Sequence, residues 1–337
     1  MARVLITGGA GFIGYHLSVL FLKNNECVYA LDNIQDEISG HIKYERLLLL
    51  GIEKEEVQYG KLIEKGNYHF IQADINDTPL IEKFLVNRSF DVIIHLAAQT
   101  GIRNSLINPD IYLKNNINGF HNILRACIKF HFKKLIFASS SSVYGENKEM
   151  PYKENFNTDN PESLYAVTKK TNELLAQTYS NLYQLNTIGL RFFTVYGPWG
   201  RTDMAPYIFI KSINEGKTIH LFNNGQSLRD FTFVDDVVKS IYLIFRKITS
   251  SESDTYPLFS IFNVGNSKAV VLQKFLSTVE KLLNKKAQII YKPNQEGDVT
   301  ATYACVDKLY NFIDFKPDTD IEDGLRKTID WYIKLKH

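Results

Sequence analysis

Apolar runs and amphipathic segments alternate along the first half of the chain. The apolar runs are short, which predicts buried strands, and the segments between them repeat with helical spacing. The predicted strands are Arg3–Thr7, Cys27–Leu31, Tyr68–Gln72, Asp91–Leu96, Lys134–Ala138 and Thr187–Phe193. The predicted helices are Tyr15–Lys23, Pro79–Val86, Tyr112–Lys129 and Leu164–Tyr183. Such alternation is typical of an α/β fold with a Rossmann-type, doubly wound parallel sheet.

The second half of the chain predicts a smaller C-terminal α/β lobe. Its predicted elements are helices Pro206–Glu215, Val237–Arg246, Leu272–Leu283 and Ile321–Lys334 and strands Ile219–Phe222 and Gln288–Lys292. Residues 194–204 are rich in Gly and Pro and are predicted to form a loop. The polar stretch 35–67 is interpreted as a surface excursion with a helical part at Tyr44–Leu50. We therefore divide the chain into residues 1–190 and 191–337, with some strands of the second part returning to the main sheet.

Composition excludes several classes of protein. Hydrophobic residues make up 45% of the chain and charged residues 23%, as in ordinary globular proteins. The formal net charge is +2, so neither nucleic acid nor an anionic membrane is expected as a partner, and no apolar run is long enough to span a bilayer. Cys27, Cys127 and Cys305 have neither metal-ligand nor disulfide spacing. This predicts no metal site and a cytoplasmic protein.

Three glycines at intervals of three follow the first predicted strand and lead into a helix. Gly8 allows a tight turn, Gly11 lets the backbone approach a pyrophosphate at the helix N-terminus, and Gly14 lets the helix pack close to the strand. The second strand ends at Asp32, a carboxylate suited to the adenosine ribose and repulsive to a 2'-phosphate. The pattern predicts NAD rather than NADP. The plainer alternative is a glycine turn beside an acidic loop residue.

Residues suited to a ligand recur where the predicted strands end. They are Gly8, Asp32, Asp74, Ala98 and Ser139. Ligands of doubly wound sheets bind beyond the carboxyl ends of the strands. There we expect Asp74 and Ile75 to meet the adenine edge, and the small side chains of Ala97 and Ala98 to admit a flat cofactor.

Tyr165 and Lys169 are four positions apart and lie one turn from each other on one face of the helix predicted at Leu164–Tyr183. A phenol with a pKa near ~10 is a poor base at neutral pH. A neighbouring ammonium favours the phenolate and lowers that pKa, so that Tyr165 could take a proton from a hydroxyl group. The alternative is an ordinary helix with Tyr165 buried and Lys169 in water.

These motifs together resemble the extended short-chain dehydrogenase/reductase superfamily, which consists mainly of nucleotide-sugar epimerases, dehydratases and decarboxylases. The resemblance covers essentially the whole chain and rests on the three glycines, on Leu96-Ala-Ala98, on the serine run 139–142 and on the Tyr165 and Lys169 pair. Four longer segments look like those of UDP-glucuronate 4-epimerases. They are Ala97–Ser105, Ala138–Tyr144, Leu190–Ala205 and Arg229–Asp236.

The resemblance implies roles for individual residues. Ser140 takes the family's catalytic Ser/Thr position and would share the proton of the substrate 4-hydroxyl with Tyr165. Related 4,6-dehydratases carry Asp-Glu at the next two positions, where this chain has Ser141 and Ser142. A hydroxyl is no strong acid or base at neutral pH, so dehydration is disfavoured and oxidation followed by reduction remains.

Binding residues follow from the same comparison. The expected NAD contacts are Gly8, Gly11, Phe12, Ile13, Gly14, Asp32, Asn33, Asp74, Ile75, Leu96, Ala97, Ala98, Gln99, Asn116, Ser139, Tyr165, Lys169, Phe192 and Val195. The expected substrate contacts are Gln99, Arg103, Ser140, Ser141, Ser142, Tyr165, Thr194, Arg201, Met204, Arg229, Gln295 and Asp298. Within this set Arg229 is the candidate for the substrate pyrophosphate, and Arg201 with Thr194 for a sugar carboxylate.

The resemblance implies NAD-dependent C4 epimerisation of a UDP-sugar, foremost UDP-glucuronate to UDP-galacturonate. Residues 1–190 would then bind NAD and carry the catalytic helix, and residues 191–337 would mainly bind the nucleotide sugar. It also implies a homodimer formed by a four-helix bundle; intramolecular packing of the same helices is the alternative. Other functions stay open: a 4-epimerase for UDP-N-acetylglucosamine or UDP-glucose, a UDP-glucuronate decarboxylase, or a non-catalytic NAD-binding sensor or scaffold.

Overall fold

The structure is a computed structural model that describes residues 1–35, 40–145, 147–250, 256–293 and 299–335. The strands are β1 (Arg3–Thr7), β2 (Cys27–Asp32), β3 (Leu62–Lys65), β4 (Tyr68–Gln72), β5 (Val92–His95), β6 (Lys134–Ser140), β7 (Asn186–Phe192), β8 (Thr194–Tyr196), β9 (Thr218–Leu221), β10 (Leu228–Arg229), β11 (Phe231–Phe233), β12 (Phe259–Val264), β13 (Val270–Val271) and β14 (Gln288–Tyr291). The α-helices are α1 (Phe12–Lys23), α2 (Gly40–Leu49), α3 (Thr78–Leu85), α4 (Ile102–Ile107), α5 (Pro109–Tyr112), α6 (Gly119–Lys129), α7 (Leu164–Tyr183), α8 (Ala205–Glu215), α9 (Val234–Thr249), α10 (Leu272–Leu283), α11 (Asp307–Ile313) and α12 (Ile321–Leu335).

The main sheet has eight strands in the order β12-β7-β6-β5-β1-β2-β4-β3. Its neighbours pair in parallel, except that β3 runs antiparallel to β4 at one edge. From β1 the chain first builds outward through β2 and β4, and then from β5 in the opposite direction. A crevice opens at this switch between β1 and β5, above the carboxyl ends of the strands. The predicted Rossmann-type fold is confirmed.

Side chains from both faces of the sheet are buried, as expected for parallel strands covered by helices. Val4 and Ile6 of β1 pack in one cluster with Leu17 of α1 and Ile241 of α9. Leu5 points to the other face and packs in a second cluster, which includes residues of α3, α6 and α7. The continuous apolar run that predicted β1 is therefore explained by burial on two sides.

A third hydrophobic cluster lies in the second part of the chain. It is formed by β8, β9 and β11 together with α8, α10 and α12, and it includes Phe231, Phe275 and Leu325. Within the described residues, no helix combines the length and the apolarity that a membrane crossing requires. The division of the chain near residue 190 stays a prediction, but β12 does join the main sheet beside β7.

Three details differ from the predicted elements. The stretch 35–67 is not only a surface excursion, because Ile42, Arg46 and Leu47 of α2 are buried and β3 extends the sheet. Residues 194–196 form β8, which pairs with β11 and is not a loop. The helix expected at 112–129 is interrupted by a π-helical segment, Leu113–Asn118, between α5 and α6.

Candidate active site

The glycine-rich turn joins β1 to α1 in a conformation that side chains would not allow. Gly8 has a φ of 72°, and a Cβ there would lie 2.8 Å from the backbone nitrogen of Ala97. A Cβ at Gly14 would overlap the carbonyl oxygen of Gly8. Helix α1 then begins at Phe12, so that its first backbone N–H groups point into the crevice. Bare glycine backbone at a helix N-terminus fits the pyrophosphate of a dinucleotide.

Asp32 closes β2 beside this turn and is buried, with 4% of its surface exposed. Its carboxylate accepts hydrogen bonds from the backbone nitrogens of Ala10 (3.2 Å) and Ile34 (2.8 Å) and from Nζ of Lys43 (3.1 Å). Lys43 was missed in the sequence because it lies on α2, outside the strand ends. An anchored carboxylate at this point suits a ribose diol.

Asp74 and Ile75 lie where β4 ends, as expected. The carboxylate of Asp74 accepts a hydrogen bond from the backbone nitrogen of Asn76 (2.8 Å) and so shapes its own turn. Ile75 is buried, and its side chain fills the space that a Cβ at Gly119 would need. Residues 33 and 96–98 follow β2 and β5, on the same side of the sheet.

Asn116 binds the backbone of Gln99. Its Oδ1 accepts from the backbone nitrogen of Gln99 (2.7 Å), and its Nδ2 donates to the Gln99 carbonyl (2.9 Å) and to Oγ1 of Thr168 (3.0 Å). The carbonyl of Asn116 in turn accepts from Nδ2 of Asn172 (2.6 Å). A backbone carbonyl that bonds a side chain of α7 is a physical reason for the π-helical segment here. Asn116 therefore joins the segment after β5 to the helix that carries Tyr165.

Tyr165 and Lys169 lie in the first two turns of α7, as the sequence predicts. The helix is capped by Ser163, whose Oγ accepts from the backbone nitrogen of Ala166 (3.1 Å). The phenol of Tyr165 is hydrogen-bonded to the side chain of Ser140 at the end of β6. Only 2% of the surface of Lys169 is exposed, and its Nζ donates a hydrogen bond to the carbonyl of Ala138 (2.9 Å).

Burial controls the protonation of this pair. It raises the pKa of Tyr165, while the hydrogen bond to Ser140 and the positive charge of Arg201 act in the opposite direction. Burial also lowers the pKa of Lys169 to about 8. The expectation of a lowered Tyr165 pKa is wrong for the chain by itself, because loss of water outweighs the nearby positive charge.

The serine run 139–142 divides into two groups. Oγ of Ser140 accepts hydrogen bonds from the backbone nitrogen of Ser142 (3.2 Å) and from its Oγ (2.9 Å), which caps the 3₁₀ turn Ser141–Tyr144. The hydroxyl of Ser139, for which a contact with NAD stays a prediction, donates to Oε1 of Glu173 (2.6 Å).

A buried ion pair lies behind these serines and was not found in the sequence. Nε and Nη2 of Arg191 donate to the two carboxylate oxygens of Glu173, each at 2.8 Å. Both side chains are at least 94% buried. Glu173 follows Lys169 by one helical turn, and Arg191 pairs with Ser139 across β6 and β7. The spacing of Lys169 and Glu173 on one helix face was the available signal.

Arg201 lies close to the phenol of Tyr165. Its positive charge acts on the pKa of both Tyr165 and Tyr112, and a Cβ at Gly101 would lie 3.6 Å from its Nη2. Nε and Nη2 of Arg201 donate to the two oxygens of Asp203, at 2.9 and 2.6 Å. Asp203 was not predicted, although it is only two residues away. The pair leaves a guanidinium beside Tyr165 whose orientation is fixed by a carboxylate.

The remaining predicted substrate contacts are more dispersed. Arg229 is partly buried in β10, where its charge lowers the pKa of Tyr152 against the larger effect of burial. Arg103 is exposed, with its guanidinium 5.2 Å from the ring centre of Phe222. Thr194 begins β8 and Met204 is the N-cap of α8. Two of the expected NAD contacts also lie in this part of the chain: Phe192 ends β7 and Val195 lies in β8. Gln295 and Asp298 lie outside the described residues.

Comparison with known proteins agrees with this geometry. Protein CapI of Staphylococcus aureus is 43% identical over 98% of both chains. UDP-glucuronate 4-epimerase 4 of Arabidopsis thaliana is 39% identical over 98% of this chain and 75% of its own. The crystal structure of UDP-glucuronic acid 4-epimerase from Bacillus cereus, in complex with UDP-glucuronic acid and NAD, superposes with a TM-score of 0.87 at 30% identity over 99% of each chain.

The family model for NAD-dependent epimerases and dehydratases matches residues 4–265. That range includes the glycine turn, Asp32, Ser140, Tyr165, Lys169 and Arg201, and the cofactor of the family is NAD. The chain belongs to the NAD-dependent epimerase/dehydratase family.

Proposed function

We propose that this enzyme interconverts UDP-glucuronate and UDP-galacturonate by inverting the configuration at C4 of the sugar. The observation that carries the proposal is the grouping of Ser140, Tyr165 and Arg201 at the crevice: a hydroxyl-bonded phenol beside a fixed guanidinium. The phenol suits proton transfer at a sugar hydroxyl, and the guanidinium suits a sugar carboxylate. UDP-glucuronate 4-epimerases among the relatives support the same substrate.

NAD, when bound, supplies a reversible hydride acceptor at the sugar C4. Oη of Tyr165 then takes the proton of the 4-hydroxyl and returns it after the transient 4-keto sugar has turned its other face toward the cofactor. Oγ of Ser140 holds that hydroxyl in line with the phenol. The ammonium of Lys169, fixed by the carbonyl of Ala138, stabilises negative charge on the phenolate. No net oxidation results.

The carboxylate of the sugar needs restraint during this step. It is β to the transient ketone, so carbon dioxide is lost easily if the breaking bond aligns with the carbonyl π system. We propose that Arg201 and Thr194 hold the carboxylate out of that alignment. The two hydrogen bonds that Arg201 donates to Asp203 support this, because they fix the plane of the guanidinium.

Ser141 and Ser142 favour epimerisation over dehydration. Neither hydroxyl is a strong acid or base, and Oγ of Ser142 already donates to Oγ of Ser140. The alternative functions need parts of the same site. A 4-epimerase for an uncharged UDP-sugar or a decarboxylase would use the phenol of Tyr165. A non-catalytic sensor would need only the dinucleotide site.

Product analysis by NMR separates these candidates. Purified protein is incubated with UDP-glucuronate, UDP-glucose and UDP-N-acetylglucosamine in turn. We expect UDP-galacturonate from the first and little product from the others. Arg201→Ala should release a UDP-pentose, whereas Arg326→Ala, a change at an exposed arginine of α12, should not. Exclusive turnover of an uncharged sugar, or none at all, would refute the proposal.

We also propose a homodimer, built from α7 and the helical segment before α6. Apolar side chains there are exposed, namely Ile111, Leu113, Val167, Leu174 and Leu182, the last to 67%. Burying such a patch favours association of two copies. Light scattering on a sizing column tests this, and a monomer at all concentrations would contradict it. A cytoplasmic location stays a prediction, supported by the three free cysteine thiols.

A further inference from the structure

The segment that precedes Arg201 rests on the dinucleotide site. Nε2 of His16 in α1 and the carbonyl of Pro198 are 2.8 Å apart. The rings of Tyr15 and Trp199 lie edge to face with their centres 6.2 Å apart. A Cβ at Gly200 would lie 3.7 Å from the ring of Phe12. Residues 197–201, named the Trp199 segment below, therefore pack on the helix whose N-terminus faces the pyrophosphate position.

Arg46 joins the Trp199 segment to the glycine-rich turn. Its side chain comes from α2 and only 2% of the residue is exposed. Nη1 donates to the carbonyl of Ala10 (2.8 Å), and Nη2 donates to the carbonyl of Trp199 (2.6 Å). Ala10 precedes Gly11 directly, and Trp199 precedes Arg201 by two residues. One guanidinium thus connects the two binding elements.

The backbone conformation of Trp199 explains why the hydrogen bond from Nη2 of Arg46 to its carbonyl is needed. Its φ is 59°, in the left-handed region that bulky residues rarely adopt. Such a conformation persists only where surrounding contacts enforce it. The bond from Nη2 of Arg46 holds the carbonyl that this conformation turns inward. A lysine at position 46 has no planar fork and does not reproduce two divergent bonds.

We propose that Arg46 is a positioning residue that couples the dinucleotide site to the Trp199 segment and so sets the position of Arg201. Binding of NAD at the glycine turn orders Ala10, and Arg46 transmits that order to the carbonyl of Trp199. The consequence for a sugar carboxylate rests on the function proposed above. The coupling between the dinucleotide site and the Trp199 segment involves only the protein and NAD, and it does not depend on which sugar is the substrate.

Fluorescence of Trp199 tests the coupling without turnover. The chain has two tryptophans, so Trp331→Phe leaves Trp199 as the sole tryptophan reporter. Protein freed of NAD is titrated with NAD in this background. We expect a saturable change in Trp199 emission, and its loss with Arg46→Met at saturating NAD. Arg46→Lys should restore at most part of the change. The change persisting in Arg46→Met, or absent with Arg46 intact, would overturn the proposal.

A second measurement addresses the substrate. The affinities for UDP-glucuronate and for UDP are measured by calorimetry with and without NAD. We expect NAD to strengthen UDP-glucuronate binding by at least about fivefold more than UDP binding, and Arg46→Met to remove that difference. A wild-type protein that shows the fluorescence change but no preference for UDP-glucuronate refutes the proposed substrate and leaves the coupling supported. If Arg46→Met keeps the NAD-dependent preference for UDP-glucuronate that the wild type shows, the proposed role of Arg46 is refuted.

A merely structural role for Arg46 gives a different result. Arg46→Met would then lower the thermal midpoint while NAD affinity, Trp199 emission and the UDP-glucuronate preference stay as in the wild type. That combination would overturn the proposal. We expect instead weaker NAD retention after dialysis, measured by chromatography of the released nucleotide, in protein that remains folded at the assay temperature.

Discussion

Replacing Lys169 by methionine should stabilise the NAD-free protein at neutral pH while abolishing its activity. The ammonium is buried with 2% of the residue exposed, and burial lowers its pKa from 10.5 to about 8. At about 1.4 kcal/mol per pKa unit, the folded chain carries a penalty of about 3 kcal/mol for holding this charge. Lys169→Met removes the penalty but also the hydrogen bond to Ala138, worth about 1 kcal/mol. The expected gain is about 2 kcal/mol.

The stability advantage of Lys169→Met over wild type depends on pH and is lost at high pH. Below pH 8 the lysine is protonated in both the folded and the unfolded chain, so the penalty is constant. Between pH 8 and 10.5 the unfolded chain keeps the proton that the folded chain has lost, and the stability of the wild type rises. The advantage of Lys169→Met should therefore shrink with pH across this window. Other groups that titrate there largely cancel in the difference between the two proteins.

Urea unfolding of NAD-free wild type and Lys169→Met at several pH values measures this difference. Circular dichroism reports the transition, and the slopes must agree between the proteins for the free energies of unfolding to be compared. A variant that is less stable than wild type at pH 7, or a difference that does not change between pH 7 and 10, would refute the reasoning about the buried ammonium.

Two further predictions concern the glycine turn and the ion pair behind the serines. Gly14→Ala should abolish NAD retention, since its methyl group would overlap the carbonyl of Gly8; chromatography of the nucleotide released from purified protein checks this. Glu173→Met and Arg191→Met should each cost about 3–5 kcal/mol by leaving a buried charge without its partner, and the double variant should cost less than either. Additive losses in urea unfolding would contradict the coupling.

The sequence was sufficient for those parts of the molecule where local pattern and burial agree. The strands β1 and β4 are short apolar runs with core on both faces, and α7 was predicted with the bounds that the structure has. Gly8 and Tyr165 could be proposed from the sequence because the chemistry expected of them depends on neighbours close in sequence. In a parallel sheet all strand ends meet at one edge, so order along the chain predicted proximity in space.

The sequence could not supply contacts that join distant segments. Arg46 bonds a carbonyl 153 positions away, and its neighbours in the sequence do not indicate that partner. Arg191 looked like one basic residue in an apolar strand, because its partner Glu173 lies on another element. The interruption at Leu113–Asn118 also depends on a tertiary hydrogen bond, from Nδ2 of Asn172 to the carbonyl of Asn116.

The last strand of the main sheet to be synthesised, β12, lies far beyond α7 in the sequence. It pairs with β7 from Phe259↔Thr187 to Val264↔Phe192. A fragment that ends shortly after residue 192 would leave β7 as an exposed edge strand with a row of unpaired backbone groups, and such edges favour aggregation. On the ribosome, the main sheet likewise cannot be completed until residue 264 has emerged.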